Sequence, residues 1–244
     1  MFFKMKNLAF LGLLLIIVFN SCTDEVVFSD LVEIEQSRME WIANGSDTLS
    51  FSITFNSESV IDKISAEATI SNGTFVENDM TTLTFVPKRT PDNTIESKII
   101  VKSSTNNSES TIEFNINEFK EEFTIMSNPS TPSKIELSAS AFSVQSEFGD
   151  EINLTGTVRN SGNKMVSQGV GVLLEDILED GQPVNGRFRN AALNTNSNSQ
   201  ISAIYTVGNI LSYQDIYIVA TVLDENKNKT EIIDSVQIFV NPKE

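Results

Sequence analysis

The side chain with the most distinctive chemical setting in this sequence is the thiol of Cys22, the only cysteine among 244 residues. It follows Phe19-Asn20-Ser21, at the end of an apolar run from Leu8 to Phe19 that is itself preceded by Lys4 and Lys6. That run is far shorter than the roughly 20 apolar residues a membrane-spanning helix needs. A basic start, a short apolar stretch and a small residue before a cut describe an export signal over residues 1–21. A mature chain beginning at Cys22 has no second cysteine and therefore no internal disulfide for it to join. The sequence also contains no histidine, which removes the commonest general base and the commonest metal ligand.

The junction around Cys22 resembles the lipobox of bacterial lipoproteins, with Phe19 where that motif usually has Leu, and Asn20 in place of a smaller residue. The resemblance implies that Cys22 is acylated on its sulfur and on its new amino group. It also implies attachment to the outer membrane. Each buried methylene contributes roughly 0.8 kcal/mol, and two or more acyl chains hold a protein where one is marginal. With Cys22 given to lipid, no thiol nucleophile or thiolate ligand remains. Thr23-Asp24-Glu25 places two acids next to the anchor. It resembles the acidic run with which some such lipoproteins are displayed on the outer surface. A periplasm-facing orientation stays open beside that one.

The formal net charge is −16, and cutting the leader removes Lys4 and Lys6, which makes the mature body more acidic still. Such a body repels nucleic acid and anionic head groups, so nucleic acid is excluded as a partner. An apolar content of 40% is enough for a packed core.

Beyond the anchor the pattern is of strand after strand. In Thr48 to Phe55, Leu49, Phe51, Ile53 and Phe55 alternate with hydroxyl residues, the period-two signature of a half-buried strand. Ile64–Ile70, Thr81–Val86, Ser97–Lys102, Ser110–Ile116 and Phe119–Ile125 continue the series. Turn formers such as Asn44-Gly45, Asn72-Gly73 and Asn106-Asn107 stand between them. Ser127 to Ser133 carries two prolines and no large apolar residue, and reads as a stiff extended linker. The rhythm then restarts with Lys134–Ser138, Glu151–Val158, Gln168–Glu175, Gln200–Val207, Asp215–Val222 and Asp234–Val240. No segment keeps a helical period over three turns. The pattern predicts an all-β chain of two antiparallel sandwiches, each near the ~100 residues of an immunoglobulin-like unit.

Ile42-Ala43-Asn44-Gly45-Ser46-Asp47 before an alternating strand, and Ile70-Ser71-Asn72-Gly73-Thr74-Phe75 after it, resemble segments of the bacterial Ig-like domains of intimins and invasins. In the second half, Ile135 to Ser140, Val158 to Asn163, Gly169 to Val172, Asn194 to Ser199 and Ile218 to Val222 are similar to further strands and turns of that family. The first unit lacks the family's usual proline and glycine after its B–C turn, having Ser57 to Asp62 instead. The resemblance implies a non-catalytic extracellular module that spaces or presents a binding surface.

The remaining candidates read mostly as architecture. Glu175 to Gly181 is acidic enough for a hard cation, which takes roughly six to eight oxygens, but its spacing does not fit an EF-hand loop and it reads as a solvated loop. Asp224-Glu225-Asn226 reads as a hairpin turn. Trp41, the single tryptophan, reads as core or edge packing rather than a sugar platform. Phe188, between Arg187 and Arg189, reads as a loop staple, and Tyr213 is the best candidate for an exposed aromatic. Asp47-Thr48-Leu49 and Asp234-Ser235-Val236 resemble a bacterial O-glycosylation signal on Thr48 and Ser235.

The expected organisation is therefore a signal peptide (1–21), a lipidated cysteine and tether (22–30), a first Ig-like sandwich (31–126), a linker (127–133) and a second sandwich (134–244). The expected activity is non-enzymatic and needs no cofactor or metal. It is adhesion, partner binding or scaffolding from a lipid anchor in the outer membrane. A carbohydrate-binding lipoprotein of a glycan-uptake system is the alternative, and the sequence does not name the protein or glycan partner.

Overall fold

The computed structural model describes residues 32–56, 65–117, 119–146, 150–208 and 210–242, so the signal peptide, Cys22 and the tether lie outside the described residues. The first unit comprises β1 (Val32–Gln36), β2 (Glu40–Ala43), β3 (Thr48–Phe55), β4 (Ala66–Ile70), β5 (Thr74–Phe75), β6 (Thr82–Phe85), β7 (Lys88–Arg89), β8 (Ile95–Lys102), β9 (Ser110–Ile116) and β10 (Phe119–Pro129). The second comprises β11 (Lys134–Ala139), β12 (Ser143–Gln145), β13 (Ile152–Arg159), β14 (Val172–Ile177), β15 (Arg187–Ala192), β16 (Gln200–Thr206), β17 (Gln214–Leu223) and β18 (Lys229–Asn241). Among the described residues there is no helix.

The two units repeat one topology. In the first, a sheet ordered β1-β3-β8-β5, with β7 also on β8, faces one ordered β2-β10-β9-β4-β6. In the second, β11-β13-β16-β15 faces β12-β18-β17-β14. In each, the opening strand is split between the sheets. Its first part pairs antiparallel, β1 with β3 and β11 with β13. Its second part pairs parallel, β2 with β10 and β12 with β18. This is the sheet arrangement of an immunoglobulin-like sandwich. The acidic strand β1, split from β2 after five residues, gives only a weak periodic signal. The two- and three-residue strands β5, β7 and β12 give none.

Alternation builds both cores. Leu49, Phe51, Ile53 and Phe55 of β3 point inward while Thr48, Ser50, Ser52 and Thr54 face out or sit at the margin. Phe51, Phe114 and Phe123 meet edge to face with centroids 5.2, 5.5 and 5.9 Å apart, a geometry that adds to their area burial. Trp41 is 1% exposed and its Nε1–H donates to Ser127 Oγ at 3.2 Å, so it is core, as its apolar neighbours imply.

Three sequence expectations need correction. Ser127-Asn128-Pro129 is not free linker. It is the end of β10, in register with Trp41, Ile42 and Ala43 of β2, and only Ser130 to Ser133 joins the units. Proline is tolerated there because it is the last strand residue. Glu175-Asp176-Ile177 is not solvated loop but the end of β14. Asp176 is buried, accepting from Tyr205 Oη at 2.9 Å and from Gly186 N–H at 2.5 Å. Burial, with the Asp176 charge and hydrogen bond behind it, pushes the Tyr205 phenol well above its ordinary value, so it stays a donor at any physiological pH. Phe188 is not on a loop but in β15, its ring 5.0 Å from that of Tyr205.

Gly73 has little latitude. Its φ is +114°, and a Cβ there would lie 2.6 Å from the Lys102 carbonyl oxygen and 2.7 Å from Trp41 Cη2. Gly73→Ala is expected to destabilise the first unit by about 2–3 kcal/mol, because backbone strain and overpacking act together. Urea unfolding measures this, and a loss under about 0.5 kcal/mol would contradict the packing described.

Candidate functional site

Among the described residues no three His, Cys, Asp or Glu side chains converge to hold a metal ion. Two regions stand out, one for its paired polar groups and one for its exposed rings: the joint between the units, and the end of the second unit furthest from it.

The joint is built from small hydroxyl residues. Ser167 Oγ donates to the Ala43 carbonyl of the first unit at 3.1 Å and accepts from Ser130 N–H at 2.8 Å. Ser130 Oγ in turn donates to the Met165 carbonyl at 2.9 Å and accepts from Asn160 Nδ2 at 3.1 Å. Gln168 N–H reaches the Thr105 carbonyl at 2.8 Å, and Thr105 Oγ1 donates to the Ser197 carbonyl at 3.1 Å. Behind this contact Ser199 Oγ brackets Val166 by donating to its carbonyl and accepting its N–H, both at 2.9 Å, and Thr195 Oγ1 donates to the Ser167 carbonyl at 2.9 Å. Ser130, Ser167, Thr195, Ser199 and Thr105 are all buried. Gly45, at φ +70°, leaves room for the Met165 side chain to pack against its backbone. Buried polar groups that are fully paired fix a geometry, because any displacement leaves a donor or acceptor unsatisfied.

The turn that offers Ala43 to the joint is itself braced. Asn44 Oδ1 accepts from the N–H groups of Ser46 and Asp47 at 2.9 and 2.8 Å. Burial alone would raise the Asp47 carboxyl. The Arg38 guanidinium and the Ile42 N–H, at 2.6 and 2.7 Å, outweigh it and hold the group below the usual carboxylate value.

At the other end of the second unit, Tyr213 and Phe239 lie near-parallel, 17° between planes and 6.1 Å between centroids. They are 65% and 41% exposed. Phe142, also exposed, is beside them, its carbonyl accepting from Phe239 N–H at 2.9 Å. Tyr213 is thus exposed, as its place before β17 suggests.

No family model matches the sequence, and no curated protein does. Among solved structures, the chain is similar to invasin, a bacterial integrin-binding protein, with TM-score 0.57 and 13% identity over 87% of this chain and 39% of that one. The fold is that of tandem bacterial Ig-like domains. A second similar structure is the adhesin InvE of Yersinia pseudotuberculosis, with TM-score 0.48 and 13% identity over 88% of this chain and 62% of that one. The chain therefore spans less than two thirds of either protein's length.

On these Ig-like domains the residues singled out from sequence are scattered. Cys22 lies outside the described residues. Thr48 and Ser235 are both exposed, but on different units, in β3 and β18. The aspartates of the two triplets have structural partners: Asp47 takes Arg38, and Asp234 Oδ2 accepts Leu137 N–H at 2.7 Å. Asp224 caps the β17–β18 turn. Its carboxyl is held below the usual value by the Asn228 N–H, at 2.7 Å, and by the Asn228 side chain. The joint was not visible in the sequence, since its hydroxyls are dispersed over residues 105 to 199 among many other serines and threonines.

Ser167→Ala leaves the Ala43 carbonyl and the Ser130 N–H buried without that partner. It is expected to destabilise the protein by about 2–6 kcal/mol, at about 1–3 for each orphaned group. Ser197→Ala, where only the carbonyl is used, is expected to change stability by under about 0.5 kcal/mol. Equal effects of the two substitutions on denaturant midpoints would contradict the joint as described.

Proposed function

We propose that this chain is a non-catalytic envelope lipoprotein that holds a binding surface away from a bacterial outer membrane. The observation that carries the reading is the joint: paired, buried hydroxyls make two Ig-like units into one spacer with a fixed far end. Acyl chains on Cys22 attach it, residues 22–30 form the tether, and loops at the end of the second sandwich meet the partner. Loops on a rigid scaffold are where such folds carry recognition. The likeness to invasin supports the fold under this reading. Binding and adhesion rest on the scaffold and its exposed end, since one sandwich fold serves many tasks.

The exposed Tyr213–Phe239 pair favours a second reading beside protein adhesion, a carbohydrate-binding lipoprotein of a glycan-uptake system. In both readings the orientation is outward and the partner extracellular. The Asp-Thr and Asp-Ser triplets would then place O-glycans, if added, on exposed strand faces at Thr48 and Ser235.

Expressed with its leader in a Gram-negative host, the protein is expected in the detergent-requiring membrane fraction, and Cys22→Ser is expected to move it to the soluble periplasm. Protease applied to intact cells is expected to remove the wild-type protein. Equal membrane retention of Cys22→Ser would overturn the anchor, and full protection from protease would overturn surface display.

A further inference from the structure

Phe239 is on the outer face of β18, and the strand registers place four polar residues around it, with Tyr217 opposite Gln237 and Phe142 exposed beside it. Residues two apart on a strand share a face, which places Gln237 and Asn241 on either side of it along β18. Across the sheet, Phe239 is in register with Asp215 of β17 on one side and Ser143 of β12 on the other. Asn241 Nδ2 donates to Ser143 Oγ at 2.8 Å, which ties two corners of this frame together. Tyr213 adds a second ring parallel to the first. The frame offers amides, a hydroxyl and a single carboxylate, with no lysine or arginine among them.

We propose that this surface binds a neutral oligosaccharide, one sugar ring lying against the exposed Tyr213–Phe239 pair and its hydroxyls meeting the surrounding amides and carboxylate. The axial C–H groups of a pyranose form an apolar face that stacks on an aromatic ring. Its equatorial hydroxyls need partners that both donate and accept, which Asn and Gln supply. Charge selects among glycans: Asp215 and a chain of net charge −16 disfavour uronic and sulfated sugars. The surface lies at the start of β17 and the end of β18, about 30 Å along the ten-residue β17 from the joint, at 3.3 Å per residue. A sugar there is clear of the first unit. The assignment rests on the binding reading of the previous section and names the ligand class for its far end.

The test uses the mature full chain, maltohexaose, cellohexaose, xylohexaose and N-acetylchitohexaose as neutral probes, and hexagalacturonate as an acidic one. Calorimetry or saturation-transfer NMR is expected to detect at least one neutral probe and not the acidic one. Tyr213→Ala and Phe239→Ala are each expected to weaken that binding at least tenfold, with Met126→Ala, exposed on the first unit, unchanged. Circular dichroism confirms folding of each variant, and Gln237→Ala, which keeps both rings, is expected to weaken binding two- to fivefold. No binding to any neutral probe overturns the proposal, as does binding that survives both ring substitutions. Self-association of the wild type that Tyr213→Ala abolishes would also overturn it, by making a second copy the occupant. Retention of a protein partner from host cells by wild type and Tyr213→Ala alike, with no sugar bound, would sink this site and leave the adhesion reading standing.

Discussion

One hydroxyl group, that of Ser167, sits where the two sandwiches touch, and the proposed use of the molecule as a spacer depends on it. It gives its proton to a backbone carbonyl of the first unit and takes one from the backbone of the connecting segment. Such bonds contribute modestly when made, but their buried partners are costly to leave unpaired. A polar joint of this kind is therefore less a source of stability than a device that admits one relative placement. The short connection reinforces it, because β10 stays paired to β2 through Pro129 and β11 begins at Lys134, leaving four residues between.

The repeated topology explains why both ends of each unit are available for such work. Splitting the first strand between two sheets closes the sandwich along its length, with loops gathered at the ends. In the second unit the loops after β13 and between β15 and β16 supply Met165, Ser167 and Ser197 to the joint. The segments before β12 and β17 carry Phe142 and Tyr213 at the opposite end. The chemistry divides accordingly: hydroxyls and backbone groups at the buried joint, rings and amides at the exposed end. Asp176 and Tyr205 form a buried ionisable pair, and they serve the core between those ends by holding β14, β16 and Gly186 together.

Much of this was readable from residue order. The alternation in β3 and β9 set their limits, Thr48–Phe55 and Ser110–Ile116, because every inward position except Ser110 is a large apolar residue. Asn44-Gly45 and Asn72-Gly73 marked turns because their backbone geometry demands those residues. The short strands were not legible, since two or three residues carry no period, nor was β15, whose Arg187 and Arg189 make it look like a loop. Asp176 looked solvated because an acid among acids gives no hint of a buried tyrosine 29 positions later. The joint and the Phe239 frame depend on pairings between distant strands, and no local pattern encodes a register. Tyr213 was identifiable as exposed from its place in a loop, whereas its near-parallel partner was hidden in a strand otherwise read as ordinary.

The most direct test of the fixed joint is 15N relaxation of the mature chain in solution. Both units are expected to report one anisotropic diffusion tensor, with the rotational correlation time of an elongated rigid body of this mass. Two separate, faster correlation times, one for each sandwich, would contradict the account.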